Sequence, residues 1–279
     1  MASVPMIHLN DGNTIPQLGL GVWQVEPEET PRVVSDAIRA GYRLIDTAEG
    51  YYNEEGVGEA IKAAEVAREE LFITSKLRNG GHARDLALES FDATTAALGL
   101  DRLDMFLIHW PVPNQDKFVE AWKTLVELRA EGRVTSIGVS NFNRDHVERI
   151  IGETGVVPAV NQIELHPYFP QRAMQAYLSG RNIHTESYSP LGSGDALEDA
   201  MIGAIGSKHG KSIAQTIIRW HLQQGLIVIP KTTHVARLEE NFAVFDFELD
   251  AADMAAMARL DKGPAGRRGS DPAEPASLF

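Results

Sequence analysis

Apolar residues along this chain alternate between two textures. Short runs that are apolar at nearly every position are followed by longer segments in which apolar residues recur every three or four positions. The first is the texture of strands buried on both faces, the second that of amphipathic helices. Strand-like runs cover 19–22, 43–46, 71–76, 103–109, 134–140, 159–164, 183–188 and 226–230. Helix-like segments cover 30–40, 53–64, 85–98, 118–130, 144–154, 171–179, 212–224, 235–244 and 251–260. Several stop near a glycine suited to a helix end, as at Gly41, Gly99, Gly132 and Gly225. Eight strand–helix alternations in about 250 residues predict an α/β fold, a closed (β/α)8 TIM barrel rather than an open doubly wound sheet. Ahead of them, residues 6–9 and 14–16 flank Asn10-Asp11-Gly12-Asn13. Asp-Gly is a strong turn signal, so these residues predict a β-hairpin capping the barrel floor. No linker interrupts the chain, and 1–279 reads as one domain ending in a Pro/Gly/Ser-rich tail over 263–279.

Composition narrows the function. The 279 residues include 26 Lys+Arg and 39 Asp+Glu, a net charge of −13. Such an excess of negative charge argues against the phosphate backbone of nucleic acid and against anionic membranes as partners. Cysteine is absent, which excludes disulfides, thiolate metal sites and cysteine nucleophiles. No apolar run approaches the roughly 20 residues of a membrane-spanning helix. The opening residues lack a secretory pattern, so a cytoplasmic protein is expected. Phosphate-binding fingerprints fail on inspection. Gly19 and Gly21 are followed by Gln24, and Gly192 and Gly194 by Leu197, so neither completes G-x-G-x-x-G. Gly210-Lys211-Ser212 lacks the earlier glycine of a P-loop, where Ile205 stands. Neither a G-x-S-x-G elbow nor H-E-x-x-H occurs.

Polar residues close several of the apolar runs. Asp46 ends the second, Lys76 the third and His109 the fourth, while Tyr51 follows just after the second. Barrel active sites lie at the C-terminal ends of strands, so these four side chains converge on one rim. A tyrosine hydroxyl, with an ordinary pKa near 10, is a weak proton donor at neutral pH. A neighbouring ammonium favours the phenolate and lowers that pKa. Asp46 would keep Lys76 charged and oriented, since an unpaired buried ammonium is costly. His109 would orient a carbonyl oxygen by donating a hydrogen bond. The set protonates an oxygen as negative charge develops there, and a cofactor must bring the reductant.

Seven motifs carry a resemblance: Asp46-Thr47-Ala48-Glu49-Gly50-Tyr51-Tyr52-Asn53-Glu54, Ser75-Lys76-Leu77, Ile108-His109-Trp110-Pro111, Gly138-Val139-Ser140-Asn141-Phe142, Asn161-Gln162-Ile163-Glu164-Leu165-His166-Pro167, Ser187-Tyr188-Ser189-Pro190-Leu191-Gly192 and Ile229-Pro230-Lys231. In order and spacing the chain resembles the aldo-keto reductases over nearly its whole length, most closely the bacterial 2,5-diketo-D-gluconate reductase branch. The resemblance implies an NADPH-dependent reductase of aldehyde and ketone carbonyls, with dicarbonyls, keto sugars or keto acids as substrates. It implies Tyr51 as general acid, supported by Asp46, Lys76 and His109. Ser140, Asn141 and Gln162 would hold the nicotinamide carboxamide, and Tyr188 would stack on the ring. Leu191 and Ser193 would lie along the pyrophosphate. Lys231, Thr232 and Arg237 would meet the 2′-phosphate, and Glu240 and Asn241 the adenine. Trp23, Trp110 and Arg78 would wall the substrate pocket. His166 and Glu164 read as structural.

Two departures stand out. His234 occupies a position where close relatives often carry an arginine, which loosens the preference for NADPH over NADH. Arg78 occupies a position where many relatives carry tryptophan, which makes that wall more polar. Lys231 and Arg237 supply a local basic cluster, with Lys262, Arg267 and Arg268 in the tail. Two other classes were weighed. A metal-dependent barrel enzyme would use Asp46, Glu164, His109 and His166, but the early His-x-His pair of such enzymes is missing, and no metal is expected. A cofactor-binding regulatory subunit would bind the nucleotide without turnover, against the intact tetrad. A monomer is the family-like default.

Overall fold

The computed structural model describes residues 4–274. The outermost residues of both termini, including 275–279 of the expected tail, lie outside this range. Strands β1 (Met6–His8) and β2 (Thr14–Pro16) pair antiparallel with Ile7 opposite Ile15. The chain then runs β3 (Gly19–Gly21), α1 (Thr30–Ala40), β4 (Leu44–Asp46), α2 (Glu54–Ala63), β5 (Phe72–Leu77), α3 (Arg84–Leu98) and β6 (Leu103–Ile108). It continues α4 (Phe118–Ala130), β7 (Val134–Ser140), α5 (Arg144–Thr154), β8 (Val160–Glu164), α6 (Arg172–Ser179) and β9 (His184–Tyr188). The last elements are α7 (Ala200–His209), α8 (Ile213–Gln223), β10 (Ile227–Val228), α9 (Val235–Phe242) and α10 (Ala251–Ala258).

Strands β3 to β10 form one parallel sheet in chain order. Its two edges meet. Leu18 bridges Val228 in the parallel sense, the Val228 N–H donates to the Gln17 carbonyl at 3.0 Å, and the Gly21 N–H donates to the Pro230 carbonyl at 3.3 Å. The expected eight-stranded barrel is therefore present.

Two apolar layers hold it. Helices bury one face against the outside of the sheet. Helix α1 begins with a proline in its first turn, buries Val33, Val34, Ala37 and Ile38, and stops at Gly41, whose φ of 111° a side-chain-bearing residue resists. The second layer fills the barrel itself with Leu44, Phe72, Met105, Leu107, Val160, Ile227 and Ile229. The hairpin closes the floor. Leu9 and Ile15 join that interior cluster. The Asn10 amide donates to the Pro158 and Asn182 carbonyls at 2.8 and 3.0 Å, just before β8 and β9 begin. Among the described residues no helix is long and apolar enough to cross a membrane.

The sequence pattern misses one helix, α7. Its run Ala200-Met201-Ile202-Gly203-Ala204-Ile205-Gly206 has little polar face and two glycines, both unfavourable signs for a helix. Its caps decide the matter. The Asp199 carboxylate accepts from the Met201 and Ile202 N–H groups at 2.9 and 3.0 Å, and Gly210 ends the helix at φ 65°. The segment Gly192–Glu198, also unassigned from sequence, coils into a kinked run of 3-10 turns, and Gly263–Gly266 in the tail forms one such turn.

The barrel interior tolerates no methyl group at Gly138. A Cβ there would sit 2.8 Å from Leu107 Cδ2, from Val160 Cγ2 and from the Val160 carbonyl oxygen. Gly138→Ala is therefore expected to lower stability by about 1–3 kcal/mol in denaturant unfolding. An unchanged midpoint would show that the interior is less tightly filled than these contacts require.

Candidate active site

Strand direction brings the candidate residues to one rim. In the parallel register Asp46 pairs with Thr74, so Lys76, two residues further along β5, projects into the barrel on the same side as Asp46. Lys76 is fully buried, and its Nζ donates to Asp46 Oδ1 at 2.6 Å and to the Thr47 carbonyl at 2.9 Å. Its third contact is the Tyr51 hydroxyl, 3.4 Å away. The Tyr51 ring lies 5.6 Å from the His109 ring at 73°, an edge-to-face pair.

The turn that carries Tyr51 is fastened locally. Residues Glu49–Tyr51 form a single 3-10 turn, and Tyr52 leaves it in the left-handed region at φ 57°. Asn53, just beyond, is buried and ties the turn to the neighbouring loop. Its amide donates to the Val22 and Val25 carbonyls at 2.9 and 3.2 Å and accepts from the Thr47 hydroxyl at 2.9 Å. Tyr51 is thus held from both sides of its own turn.

Electrostatics set the protonation states. Burial works against the charged form of Lys76, but Asp46 and Tyr51 outweigh it and hold the ammonium above its ordinary pKa. Burial pushes the Asp46 carboxyl up, and Lys76 and the Gln162 amide, which donates to Oδ2 at 2.8 Å, pull it only part of the way back, so it stays raised. Burial also pushes the Tyr51 hydroxyl up, more than Lys76 lowers it. The net shift is opposite to the lowering that Lys76 alone would produce. The phenol instead keeps its proton, and the ammonium 3.4 Å away is placed where it can stabilise a phenolate. Burial and then Lys76 hold His109 well below the usual histidine range, so its imidazole is neutral.

A cavity of about 290 Å³ opens over this group. Its wall includes Asp46, Tyr51, His109, Ser140, Asn141, Gln162 and Tyr188, together with Ser193 and Lys231 and the tryptophans Trp23 and Trp110. One flank is a polar network. The Ser140 hydroxyl donates to the Gln162 carbonyl at 3.0 Å. Asn141 sits in the left-handed region at φ 60°, which asparagine tolerates. Its amide donates to Ser140 Oγ at 3.0 Å and to the His109 carbonyl at 3.1 Å, and its Oδ1 accepts from the Tyr188 hydroxyl at 2.8 Å.

Other sequence-predicted residues lie outside the cavity wall. Arg78 turns to the rim and pairs with Glu49 at 3.0 Å, so the expected polar pocket wall is not formed by it. Leu191 precedes the 192–198 turns, and Arg237, Glu240 and Asn241 lie on α9 beyond the mouth. Thr232 is buried and accepts from the His234 N–H at 3.2 Å. Of the basic tail residues only Arg268 lines the cavity, and it pairs with Asp195 at 2.7 Å. Lys262 and Arg267 lie over the Tyr168 and Phe169 rings, at 3.5 and 4.7 Å from the centroids.

The tail also supplies wall residues that the sequence argument missed: Gly269 and Ser270. Glu164 anchors them. Its carboxylate accepts from the Arg268 and Gly269 N–H groups at 2.6 and 2.7 Å and bonds His166 Nε2 at 3.0 Å. These bonds draw the carboxyl below its usual range despite burial. The readable signal was the glycine pair. A Cβ on Gly266 would lie 2.0 Å from the Tyr168 carbonyl, and one on Gly269 would lie 2.9 Å from Glu164 Oε2.

Comparison with known proteins supplies the family. The model of the Aldo/keto reductase family matches residues 16–262. The chain belongs to the aldo/keto reductase family. It is an NAD(P)H-dependent oxidoreductase of the 2,5-diketo-D-gluconate reductase branch. It is 51% identical over 268 residues to an aldo-keto reductase of Mycolicibacterium smegmatis, covering 96% of this chain and 97% of that one. It is 50% identical over 274 residues to methylglyoxal reductase DkgA of Escherichia coli, covering 98% of each. The crystal structure of a Gox0644 mutant in complex with NADPH superposes with a TM-score of 0.94 at 50% identity over 98% of each chain. In this reductase, groups of three or more metal-type side chains are absent among the described residues.

The Lys76–Asp46 pair makes a stability prediction. Lys76→Met leaves Asp46 buried and uncompensated, and is expected to cost about 3–5 kcal/mol in unfolding free energy. Adding Asp46→Asn should recover part of that loss. Additive losses in the double variant would mean that the two groups do not form an interacting pair.

Proposed function

We propose that this reductase uses NADPH to reduce small aldehydes and dicarbonyls of the methylglyoxal kind, with Tyr51 giving the proton to the carbonyl oxygen. The observation that carries the reading is the Tyr51 hydroxyl at 3.4 Å from a buried ammonium that Asp46 keeps charged. The residues present fit the cofactor. Ser140, Asn141 and Gln162 offer hydroxyl and amide groups beside the aromatic Tyr188, a set suited to a planar ring bearing a carboxamide. Lys231 at the mouth, with Arg237 on α9, suits the phosphates. When bound, the reduced nicotinamide supplies a hydride. His109, neutral and 5.6 Å from the Tyr51 ring, orients the carbonyl oxygen by hydrogen bonding. Tyr51 releases its proton to that oxygen, and Lys76 stabilises the phenolate that remains. Trp23 and Trp110 exclude water from the reacting centre. The 50% identity to methylglyoxal reductase DkgA over 98% of each chain supports a small dicarbonyl as substrate.

NADPH oxidation against a panel of methylglyoxal, keto sugars, keto acids and simple aldehydes tests the substrate class. Tyr51→Phe is expected to lower kcat by about 10²–10⁴-fold and leave NADPH affinity nearly unchanged. Near-normal turnover would remove Tyr51 as the donor. Arg237→Ala should raise Kd for NADPH far more than for NADH. Equal weakening of both would mean that Arg237 does not meet the 2′-phosphate.

A further inference from the structure

One buried acid beside the tetrad has no part in the chemistry above. Glu186 on β9 is fully buried. Its backbone pairs with Gln162 of β8 on one side and Ile227 of β10 on the other. It lies two residues before Tyr188, a cavity-wall residue, so both side chains point into the barrel. The charged and titratable groups around it are Asp46 from β4, Lys76 from β5 and Tyr51 from the turn after β4. Strand β8 contributes the neutral Gln162 and β10 the apolar Ile227. Gln162 already donates to Asp46 at 2.8 Å, and although its amide favours the Glu186 carboxylate, neither Glu186 oxygen has a hydrogen bond of ordinary geometry.

Two carboxyls and one ammonium thus share a buried space. Like charges this close do not both ionise readily. Burial raises both carboxyls, but Asp46 has the ion pair with Lys76 at 2.6 Å and the Gln162 amide at 2.8 Å, whereas Glu186 has neither, so the geometry leaves the proton on Glu186. Burial, reinforced by Asp46, pushes the Glu186 carboxyl up to about 8. An ionised Glu186 also raises the Tyr51 hydroxyl, because its charge repels the phenolate.

We propose that Glu186 is a positioning residue for the reduction: protonated, it leaves the Lys76 charge directed at Tyr51, and ionised, it competes for that charge and slows proton delivery. The proposal rests on Tyr51 as proton donor. It predicts that the alkaline fall of carbonyl reduction belongs to Glu186 and not to the tetrad alone.

The test is kcat for NADPH-dependent methylglyoxal reduction from pH 6 to 9.5, in wild type and in Glu186→Gln, each relative to its own value at pH 7. Wild type is expected to fall about tenfold by pH 9, following one titration near 8. Glu186→Gln, which cannot ionise, is expected to hold its rate across that interval. Superimposable profiles would overturn the proposal. A second readout needs no activity. Folded Glu186 keeps a proton that the unfolded chain releases near 4.5, so wild type loses stability relative to Glu186→Gln as pH rises from 4.5 to about 8. A Tm difference constant over that window would overturn the protonated carboxyl. The two levels of the account separate cleanly. Turnover that survives Tyr51→Phe defeats the donor on which the proposal rests, whereas matching pH profiles beside an inactive Tyr51→Phe defeat only the role of Glu186.

Discussion

The charge on Lys76 inside the barrel is the constraint on which the rest of the structure depends. An ammonium with no solvent exposure needs an opposite charge and carbonyl partners within hydrogen-bond reach. Asp46 and the Thr47 carbonyl provide them, and they do so because β4 and β5 pair in parallel with Asp46 opposite Thr74. A one-residue slip of that register would turn Lys76 outward against the helices. Gln162 from β8 fixes the second oxygen of Asp46, so strands on different arcs of the barrel converge on the same pair. The closed barrel is what allows side chains from separated strands to meet inside one low-dielectric space.

That space explains why the two candidate donors are neutral. Burial outweighs Lys76 at Tyr51 and acts in the same direction as Lys76 at His109. A phenol that keeps its proton and an imidazole that refuses a second one are both hydrogen-bond donors to a carbonyl oxygen. Neither places charge on the substrate before reaction. In the proposed reaction the field of Lys76 becomes effective only as negative charge appears on the phenol oxygen, which favours the transition state over the ground state. Glu186 adds the opposite influence from beneath.

Much of this was legible in the sequence because it follows from local pattern. Residues 43–46, 71–76 and 103–109 read as strands from their mostly apolar runs, and the polar residues that close them mark the rim. Element ends differ by one or two residues, where fraying and caps decide. The direction of the Tyr51 shift was misjudged because sequence shows that Lys76 is near but not how deeply both groups are buried. The ion pair of Arg78 was not legible for a related reason: its partner Glu49 comes from the neighbouring loop, which only the fold brings beside it. Helix α7 is decided by its caps, Asp199 and Gly210, against a weakly amphipathic run, and the tail anchor on Glu164 depends on contacts across the fold, made where glycines leave no hydrophobic signature. Glu186 looked like an ordinary strand residue until the barrel placed it beside Asp46 and Lys76.

In the proposed reaction Lys76 acts on the proton held by Tyr51. Single-turnover reduction of methylglyoxal by NADPH-loaded Lys76→Met tests it most directly, with cofactor binding followed separately by fluorescence. A hydride-transfer step slowed by at least about a hundredfold, with the affinity for NADPH retained, is the expected result. A folded Lys76→Met enzyme that reduces its substrate within a few-fold of the wild-type rate would contradict it.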